Sequence, residues 1–438
     1  MSRIKIKNFG PIREGFVDND GWMDVNKVTV LIGDQGSGKS TVAKLISIFS
    51  WIEKNIVRNT ISVDQLNVGV FKTLCAQQEL IEYFAHGTLL AYRGDVCHFE
   101  YDETKDSFKA EIEDEGLRQY VLPKIQYVSA ARNLLTILYN ISFQNIVDNK
   151  GNIIDLASNI PIMVRELNKE YIRALTELAK EGFSLPINET SVYFQNHSTY
   201  IITKGSKVSM SAASSGVQSI TPLLLVSHFL SNEVQKDLFD KVQSIDNTLK
   251  SKIEKELSKE NKNLFEQFNQ VFAFGKSILK NNEDVSLLQE KLKRFISSAF
   301  INIVEEPEQN LFPTSQQNML YKLLEYNNAV KENKLILTTH SPYVINYLML
   351  AIKASEIEQK TGKKQDLKSK IFEIVPEKAL TPLQQVSIYE LDEPTGTISR
   401  LAQSFGLPSN ENYLNNLLGE TNMLFSELME IEDLCDLL

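Results

Sequence analysis

The residues best suited to chemistry form a glycine-rich loop near the N-terminus. The segment from Gly33 to Ser40 reads Gly-Asp-Gln-Gly-Ser-Gly-Lys-Ser and fits the phosphate-binding pattern G-x-x-x-x-G-K-[ST]. Its glycines let successive backbone N–H groups turn toward a phosphate without a Cβ in the way. In this pattern Lys39 reaches the β- and γ-phosphates, and the Ser40 hydroxyl binds Mg²⁺. We therefore predict that ATP and Mg²⁺ bind to Gly33, Asp34, Gln35, Gly36, Ser37, Gly38, Lys39, Ser40 and Thr41.

Two carboxylates follow an apolar run later in the chain. Glu305 and Glu306 come directly after residues 300–304, which have the pattern of a buried strand. In phosphoryl transfer one carboxylate holds Mg²⁺ and another takes the proton of the attacking water. We assign Glu305 to magnesium and Glu306 to catalysis as general base. An apolar run that ends at a solvated turn has the same pattern, so the run alone leaves both interpretations open.

A histidine follows the next apolar run. His340 stands directly after residues 334–339 and is followed by Ser341-Pro342. At a strand tip, an imidazole can donate a hydrogen bond to charge that develops on a γ-phosphate. Lone histidines are more often structural, but the position after a third motif strand favours function. We predict that His340 acts in catalysis together with Lys39 and Glu306.

A run of small residues precedes an apolar helix. The segment Ser214-Ser215-Gly216-Val217-Gln218 comes before the helical pattern of residues 220–230. A small-residue loop at a helix N-terminus is a second phosphate-binding design within the chain. One phosphate does not need two such helix ends from one subunit. We therefore expect Ser215, Gly216 and Gln218, here named the signature loop, to close over a nucleotide held by a partner subunit. The same residue types also occur at ordinary helix N-caps, where they bind no ligand.

The elements that carry these motifs predict an α/β fold with mixed sheets. Arg3–Phe9 alternates with a period of two, residues 28–32 form a continuous apolar run, and residues 40–56 have helical spacing. Residues 236–294 are charged, lack proline and predict one or two long, coiled-coil-like helices. We divide the chain into a head of residues 1–230 and 298–375 with a helical lobe at about 59–207, a helical insertion at 232–297, and a C-terminal strand-helix extension at 376–438.

Composition limits the functional classes. The chain has 438 residues, 42% of them hydrophobic, a net charge of -10 and three widely spaced cysteines. We expect a folded cytoplasmic protein with reduced thiols, without a membrane span or export signal. The negative charge repels phosphate backbones, so DNA is possible as a partner but not favoured. The best basic cluster has the pattern of a solvated loop face and comprises Lys363, Lys364, Lys368 and Lys370.

The ordered motifs resemble those of the ABC-type ATPases of the SMC and OLD group. Ile4–Ile12 looks like the opening strand and turn of that family, and Glu305–Pro313 looks like the extended acidic motif of its OLD-like branch. The resemblance implies that dimerisation sandwiches two ATP molecules, with the signature loop contacting the γ-phosphate in trans. Val217 replaces a glycine usual in transporters, and Glu305 replaces a more usual aspartate. Gln126 is a weak candidate for the family's Gln loop and for a magnesium contact.

The pattern is also similar to stand-alone ATPases of phage-defence operons, most of all those of PARIS-type systems, with Septu-type systems as a close alternative. This resemblance implies a homo-oligomeric sensor and scaffold that holds a separate Toprim-type nuclease and releases it when a phage protein is sensed. We recognise no nuclease module after His340. The main alternative is an SMC/OLD-like ATPase of DNA repair or DNA-end processing. A transporter subunit and a protein that binds ATP only as structural glue are further alternatives.

Overall fold

The computed structural model describes residues 2–117, 119–136, 162–275, 282–362 and 364–404. Beyond these it describes residues 407, 408, 412, 414–416, 423, 424, 426, 428 and 429. The middle of the predicted helical lobe, residues 137–161, lies outside the described residues. So do most residues after 404, in the C-terminal part of the predicted strand-helix extension.

The strands are numbered in chain order. They are β1 (Ser2–Phe9), β2 (Gly15–Phe16), β3 (Met23–Val25), β4 (Val28–Gly33), β5 (Phe84–Arg93), β6 (Cys97–Asp102), β7 (Ser107–Ile112), β8 (Pro123–Val128), β9 (Phe183–Leu185), β10 (Thr190–Gln195), β11 (Ser198–Thr203), β12 (Ser206–Ser209), β13 (Ala299–Glu305), β14 (Lys334–Thr339), β15 (Val386–Asp392), β16 (Thr397–Arg400), β17 (Gln403–Ser404) and β18 (Leu407–Pro408).

The α-helices are numbered in the same way. They are α1 (Lys39–Val57), α2 (Val68–Ala76), α3 (Asp114–Leu117), α4 (Ile162–Leu178), α5 (Ser215–Gln235), α6 (Leu238–Gln243), α7 (Asn247–Glu260), α8 (Lys262–Phe274), α9 (Asn282–Lys293), α10 (Pro313–Asn328), α11 (Pro342–Thr361) and α12 (Gln365–Ile374).

A seven-stranded mixed sheet forms the centre of the head. Its order is β2-β16-β15-β4-β14-β13-β8, and the run from β15 to β8 is parallel. Every residue of β4 is buried, because helices or a second sheet cover both faces. This explains why β4, β13 and β14 are continuous apolar runs in the sequence. The predicted α/β class with mixed sheets is confirmed.

Helix α1 lies between this sheet and a five-stranded antiparallel sheet of order β3-β1-β5-β6-β7. Phe49 of α1 stacks on Tyr92 of β5 and Phe99 of β6, with ring centroids 5.3 and 5.9 Å apart. The same hydrophobic cluster includes Ile303 and Ile336 of the seven-stranded sheet. The opposite face of that sheet packs against α5, α10 and α11. The helix that starts at the phosphate-binding motif is therefore held on two sides.

The helical insertion has a hydrophobic core of its own, which includes Phe239, Phe268 and Phe295. Sequence periodicity predicted one or two long helices, whereas the described residues of the insertion form four shorter helices, α6 to α9. Asn261 separates α7 from α8 with an extended backbone at φ -160°, and its side chain caps α8 by accepting the N–H of Asn263. An asparagine that caps a following helix ends the preceding one, which charge and periodicity alone do not reveal.

Strands in two parts of the chain join sheets whose membership the sequence did not predict. In the segment 376–438, expected as an extension of the head, β15 pairs in parallel with β4 and so belongs to the central sheet. In the expected helical lobe at 59–207, β5, β6 and β7 join the antiparallel sheet beside β1. In both cases, the sheet that the strands join depends on pairing between segments that are distant in sequence. None of the helices in the described part of the chain is long and apolar enough to cross a membrane.

Candidate functional site

The carboxyl ends of four parallel strands meet at one edge of the seven-stranded sheet. Ile32 of β4 pairs with Thr339 of β14, Thr338 of β14 pairs with Glu305 of β13, and Val304 of β13 pairs with Val128 of β8. The residues that follow each strand therefore stand side by side. Ligands of open α/β sheets bind at this edge.

The phosphate loop, residues 33–41, connects β4 to α1. Gly33 has φ 140°, and a Cβ at this position would lie 2.2 Å from the Leu391 carbonyl oxygen. Gly38 has φ 99°, and a Cβ there would lie 2.9 Å from the Ile12 side chain. Both positions therefore require glycine. Gly38 is also the N-cap of α1 and brings no side chain to the helix end, which leaves the first N–H groups free for a phosphate.

The Lys39 side chain lies inside this loop. Its ammonium group donates to the carbonyl oxygens of Gly33 at 2.9 Å and Asp34 at 2.5 Å. Burial lowers the pKa of Lys39 to about 8, and the carboxylates of Glu306, Asp34 and Glu308 oppose this shift. The loop tip is exposed, as is the Ser40 hydroxyl in the first turn of α1, whereas Ser37 and Thr41 are buried. The arrangement fits a polyphosphate, which would give the ammonium group stronger acceptors than loop carbonyls.

Glu305, the predicted magnesium ligand, ends β13 with a buried side chain. One carboxylate oxygen accepts the Tyr127 hydroxyl at 2.6 Å, and the other accepts the Ala130 N–H at 3.0 Å. Burial, together with the Glu305 carboxylate, raises the pKa of Tyr127 well above its usual value. Each Glu305 oxygen retains acceptor capacity after these bonds.

Hydrogen bonds hold the backbone of Glu306, the predicted general base, through both its N–H and its carbonyl group. Its φ is 43°, in the left-handed region that a glutamate rarely adopts. Its N–H donates to the Thr338 carbonyl at 2.9 Å, and its own carbonyl accepts from Arg132 at 2.7 Å. The carboxylate is 3.7 Å from the His340 imidazole, and 38% of the side chain is exposed. These contacts bring two of the predicted catalytic residues together at the mouth of the phosphate loop.

Arg132 was not predicted as a site residue, yet it is fully buried behind the acidic pair. Its guanidinium donates to the carbonyl oxygens of Glu305 and Glu306 at 2.7 Å each and to that of Ser219 in α5 at 3.1 Å. Burial lowers the pKa of Arg132 to about 10. Its position shortly after β8, at the same sheet edge as the acidic pair, was the signal available in the sequence.

Glu308 is a second residue that motif assignment missed. One of its oxygens accepts the His340 N–H and the Thr339 hydroxyl at 2.8 Å each. Burial raises the pKa of Glu308, and these hydrogen bonds partly oppose the shift. Burial and the nearby Lys39 lower the pKa of His340, whereas the carboxylates of Glu306 and Asp34 and a hydrogen bond to the Gly33 backbone partly oppose this. His340 therefore connects the acidic loop to the phosphate loop.

The signature loop packs on the acidic segment of the same chain. A Cβ on Gly216 would lie 2.6 Å from the Asn310 carbonyl oxygen, so a glycine is needed for this approach. The Gln218 amide turns back and donates to the carbonyls of Met210, Ser211 and Ala213. Ser215, the first residue of α5, is exposed.

Gln126 lies within β8 and not in the segment that follows it at the sheet edge. It pairs with Asn302 in the middle of β13, and its amide donates to the neighbouring Tyr127 carbonyl at 3.1 Å. In the described residues no group of three or more histidine, cysteine, aspartate or glutamate side chains could hold a metal ion. Mg²⁺ is commonly held by one or two protein oxygens together with substrate phosphates. Ser40 and Glu305 remain the predicted protein ligands.

Comparison with known proteins gives distant likenesses of fold. No protein-family model matches the chain, and no curated protein matches it. The SMC head domain from Thermotoga maritima is 11% identical with a TM-score of 0.34, covering 92% of this chain and 98% of that chain. An Smc head domain with an extended coiled coil, bound to the C-terminal domain of ScpA derived from Pyrococcus furiosus, is 8% identical with a TM-score of 0.33, covering 98% and 100%.

A dimeric ABC transporter cassette is 8% identical with a TM-score of 0.27, covering 92% of this chain and 100% of that chain. These identities and TM-scores are too low to carry an argument about activity, ligands or partners.

Proposed function

We propose that this chain binds ATP with Mg²⁺ and hydrolyses it to ADP and phosphate. The observation that carries the proposal is the meeting of Lys39, Glu306 and His340 at one sheet edge, with Glu306 and His340 3.7 Å apart. A phosphate loop alone is compatible with kinases and switches as well as ATPases. A carboxylate beside the loop favours attack by water.

Each residue has a role that its contacts support. Lys39 exchanges its loop carbonyls for phosphate oxygens and stabilises charge that develops on the γ-phosphoryl group. Glu306 takes the proton from the attacking water, and its clamped backbone holds the carboxylate in place. His340, whose imidazole is 3.7 Å from the Glu306 carboxylate, lies close enough to that carboxylate to orient it or the attacking water. Mg²⁺, when bound between Ser40, Glu305 and the phosphates, supplies charge neutralisation and orientation.

The signature loop supports a composite site formed by two copies of the chain. Ser215 is exposed at the N-terminus of α5, and Gly216 fixes this helix end against Asn310. The N-terminus of this 21-residue helix favours negative charge such as a phosphate. We propose that ATP binding to one copy recruits this helix end from another, giving a homodimer or a higher homo-oligomer.

Two variants test the ATPase proposal. Lys39→Ala removes the phosphate contact and is expected to abolish ATP binding measured by calorimetry. Glu306→Gln is expected to keep binding, to lower turnover by about 100-fold or more, and to stabilise an ATP-dependent dimer in light scattering. The exposed Glu393→Gln serves as a matched control and should change neither property. Normal turnover in folded Glu306→Gln would exclude Glu306 as the general base.

We further propose that the ATPase is the sensor and scaffold of a phage-defence complex of PARIS type and holds a separate Toprim-type nuclease. The motif order and the extended acidic segment support this proposal, and the net charge of -10 opposes a dedicated DNA-binding role. Two observations test the idea: whether the adjacent gene encodes a nuclease, and whether that nuclease co-purifies with this chain. Turnover stimulated by DNA in a salt-dependent way, without such a complex, would instead support the DNA repair or end-processing alternative.

A further inference from the structure

A cationic cavity lies away from the sheet edge, where the second half of α1 meets β8, α5 and the helical insertion. Its volume is about 230 Å³. Two acidic residues that line it are Glu233 and Asp246, whereas the basic residues that line it are Lys54, Arg58, Lys124, Arg173 and Lys241. With Glu170, which pairs with two of these basic residues, five cations face three acids, which leaves a local positive excess in a chain whose net charge is -10. This excess favours an anion as the occupant.

Three of these cations already have protein partners. Lys124 and Arg173 both pair with Glu170, at 2.6 and 2.9 Å. Lys241 donates to two backbone carbonyls, at 2.9 and 3.1 Å, which join α5 to the end of the insertion. Their positions are explained by these contacts.

Lys54 and Arg58 are different. Lys54 is only 9% exposed, and within the described part of the chain no residue accepts a hydrogen bond from its ammonium group. Burial lowers the pKa of Lys54 well below its usual value, the neighbouring Arg58 and Lys124 lower it further, and the Glu170 carboxylate only partly opposes this. Arg58 donates one nitrogen to the Phe295 carbonyl, but its Nε is buried without a partner. A buried donor without an acceptor, such as the Arg58 Nε, destabilises a fold, so its retention beside Lys54 at this cavity points to a ligand.

We propose that this cavity binds a small phosphate-bearing anion, with Lys54 and Arg58 as its direct donors. A phosphate group carries close to two negative charges at neutral pH and presents several acceptor oxygens, which suits an ammonium and a guanidinium group side by side. The cavity exceeds the roughly 30 Å³ that one water occupies in the liquid, so a phosphate with a small organic group fits. Lys54 belongs to the helix that starts at Lys39, whereas Lys241 and Ser297, which also line the cavity, belong to the insertion. The ligand would therefore connect the head to the insertion.

The experiment uses the full chain with Lys39→Ala as background, because inorganic phosphate could also bind the phosphate loop. Inorganic phosphate and glycerol phosphate are titrated at constant ionic strength while thermal unfolding and calorimetric binding are measured. Both are expected to raise the unfolding temperature. Lys54→Met should weaken binding about tenfold or more, while the variant without phosphate becomes more stable because a buried unpaired cation has been removed. Lys54→Arg keeps the charge and should retain part of the affinity.

The exposed Lys255→Met in α7 is the matched control and should leave phosphate binding unchanged. Hydrogen exchange should slow in residues 238–245 and 294–297 when phosphate is added. The proposal is overturned if phosphate binds Lys54→Met as well as the background protein, or if phosphate has no effect on either. Equal binding of malonate would refute the assignment to phosphate chemistry, because charge alone would then select the ligand.

Discussion

Arg132 is expected to position the general base without touching the nucleotide. It holds the Glu306 carbonyl at 2.7 Å while the Thr338 carbonyl holds the Glu306 N–H at 2.9 Å. A hydrogen bond from a charged donor contributes about 1.5–3 kcal/mol. Since each 1.36 kcal/mol in the barrier changes the rate tenfold, Arg132→Met should lower kcat about 10- to 100-fold. The Kd for ATP should stay within about threefold, because the phosphate loop would be unchanged.

The same substitution has a structural effect that must be separated from the catalytic one. Buried carbonyls of Glu305, Glu306 and Ser219 would lose a donor, so we expect the free energy of unfolding to fall by about 2–4 kcal/mol. Urea unfolding measures this loss, and turnover is then assayed where both proteins are fully folded. Arg294→Met removes an arginine from the helical insertion and should leave kcat unchanged.

A double variant distinguishes positioning from general damage. If Arg132 acts through the Glu306 carboxylate, Arg132→Met should cost little additional turnover once Glu306→Gln has removed the base. Multiplicative losses in the double variant would refute this reasoning. So would a folded Arg132→Met protein whose kcat stays within about twofold of the parent.

Two further substitutions test other contacts. Burial raises the pKa of Glu53 to about 7 from the usual 4.5, so the folded state keeps a proton that the unfolded chain loses, and stability falls as pH rises through this window. Glu53→Gln should remove this pH dependence if the glutamine still accepts the N–H groups of Val96 and Cys97. Above pH 7 its free energy of unfolding, measured with urea, should then exceed that of the parent by up to about 3 kcal/mol. Gly216→Ala should lower stability and ATP-dependent dimerisation, because its Cβ would lie 2.6 Å from the Asn310 carbonyl oxygen; an unchanged unfolding temperature would contradict this.

The features that could be predicted are those whose residues are contiguous in the chain. The predicted phosphate loop needs glycine at positions with positive φ, then lysine and a hydroxyl, so its whole pattern lies within one strand, turn and helix. The predicted helix at residues 40–56 agrees with α1 to within a residue or two at each end. The buried strands behind Glu305 and His340 were likewise visible as apolar runs, because both faces of the central sheet are covered.

Contacts between distant segments were decided only by the tertiary structure. Arg132 and the Glu305 carbonyl are 173 residues apart in sequence, and the buried Glu308 reaches the His340 N–H 32 residues away. Neither contact leaves a pattern in the sequence, because almost any residue type can supply the backbone carbonyl or N–H group that takes part in it. The pairing of β15 with β4 could not be predicted from the sequence for the same reason. The sequence by itself determined the phosphate loop, and the register of four strands decided which side chains complete the site around it.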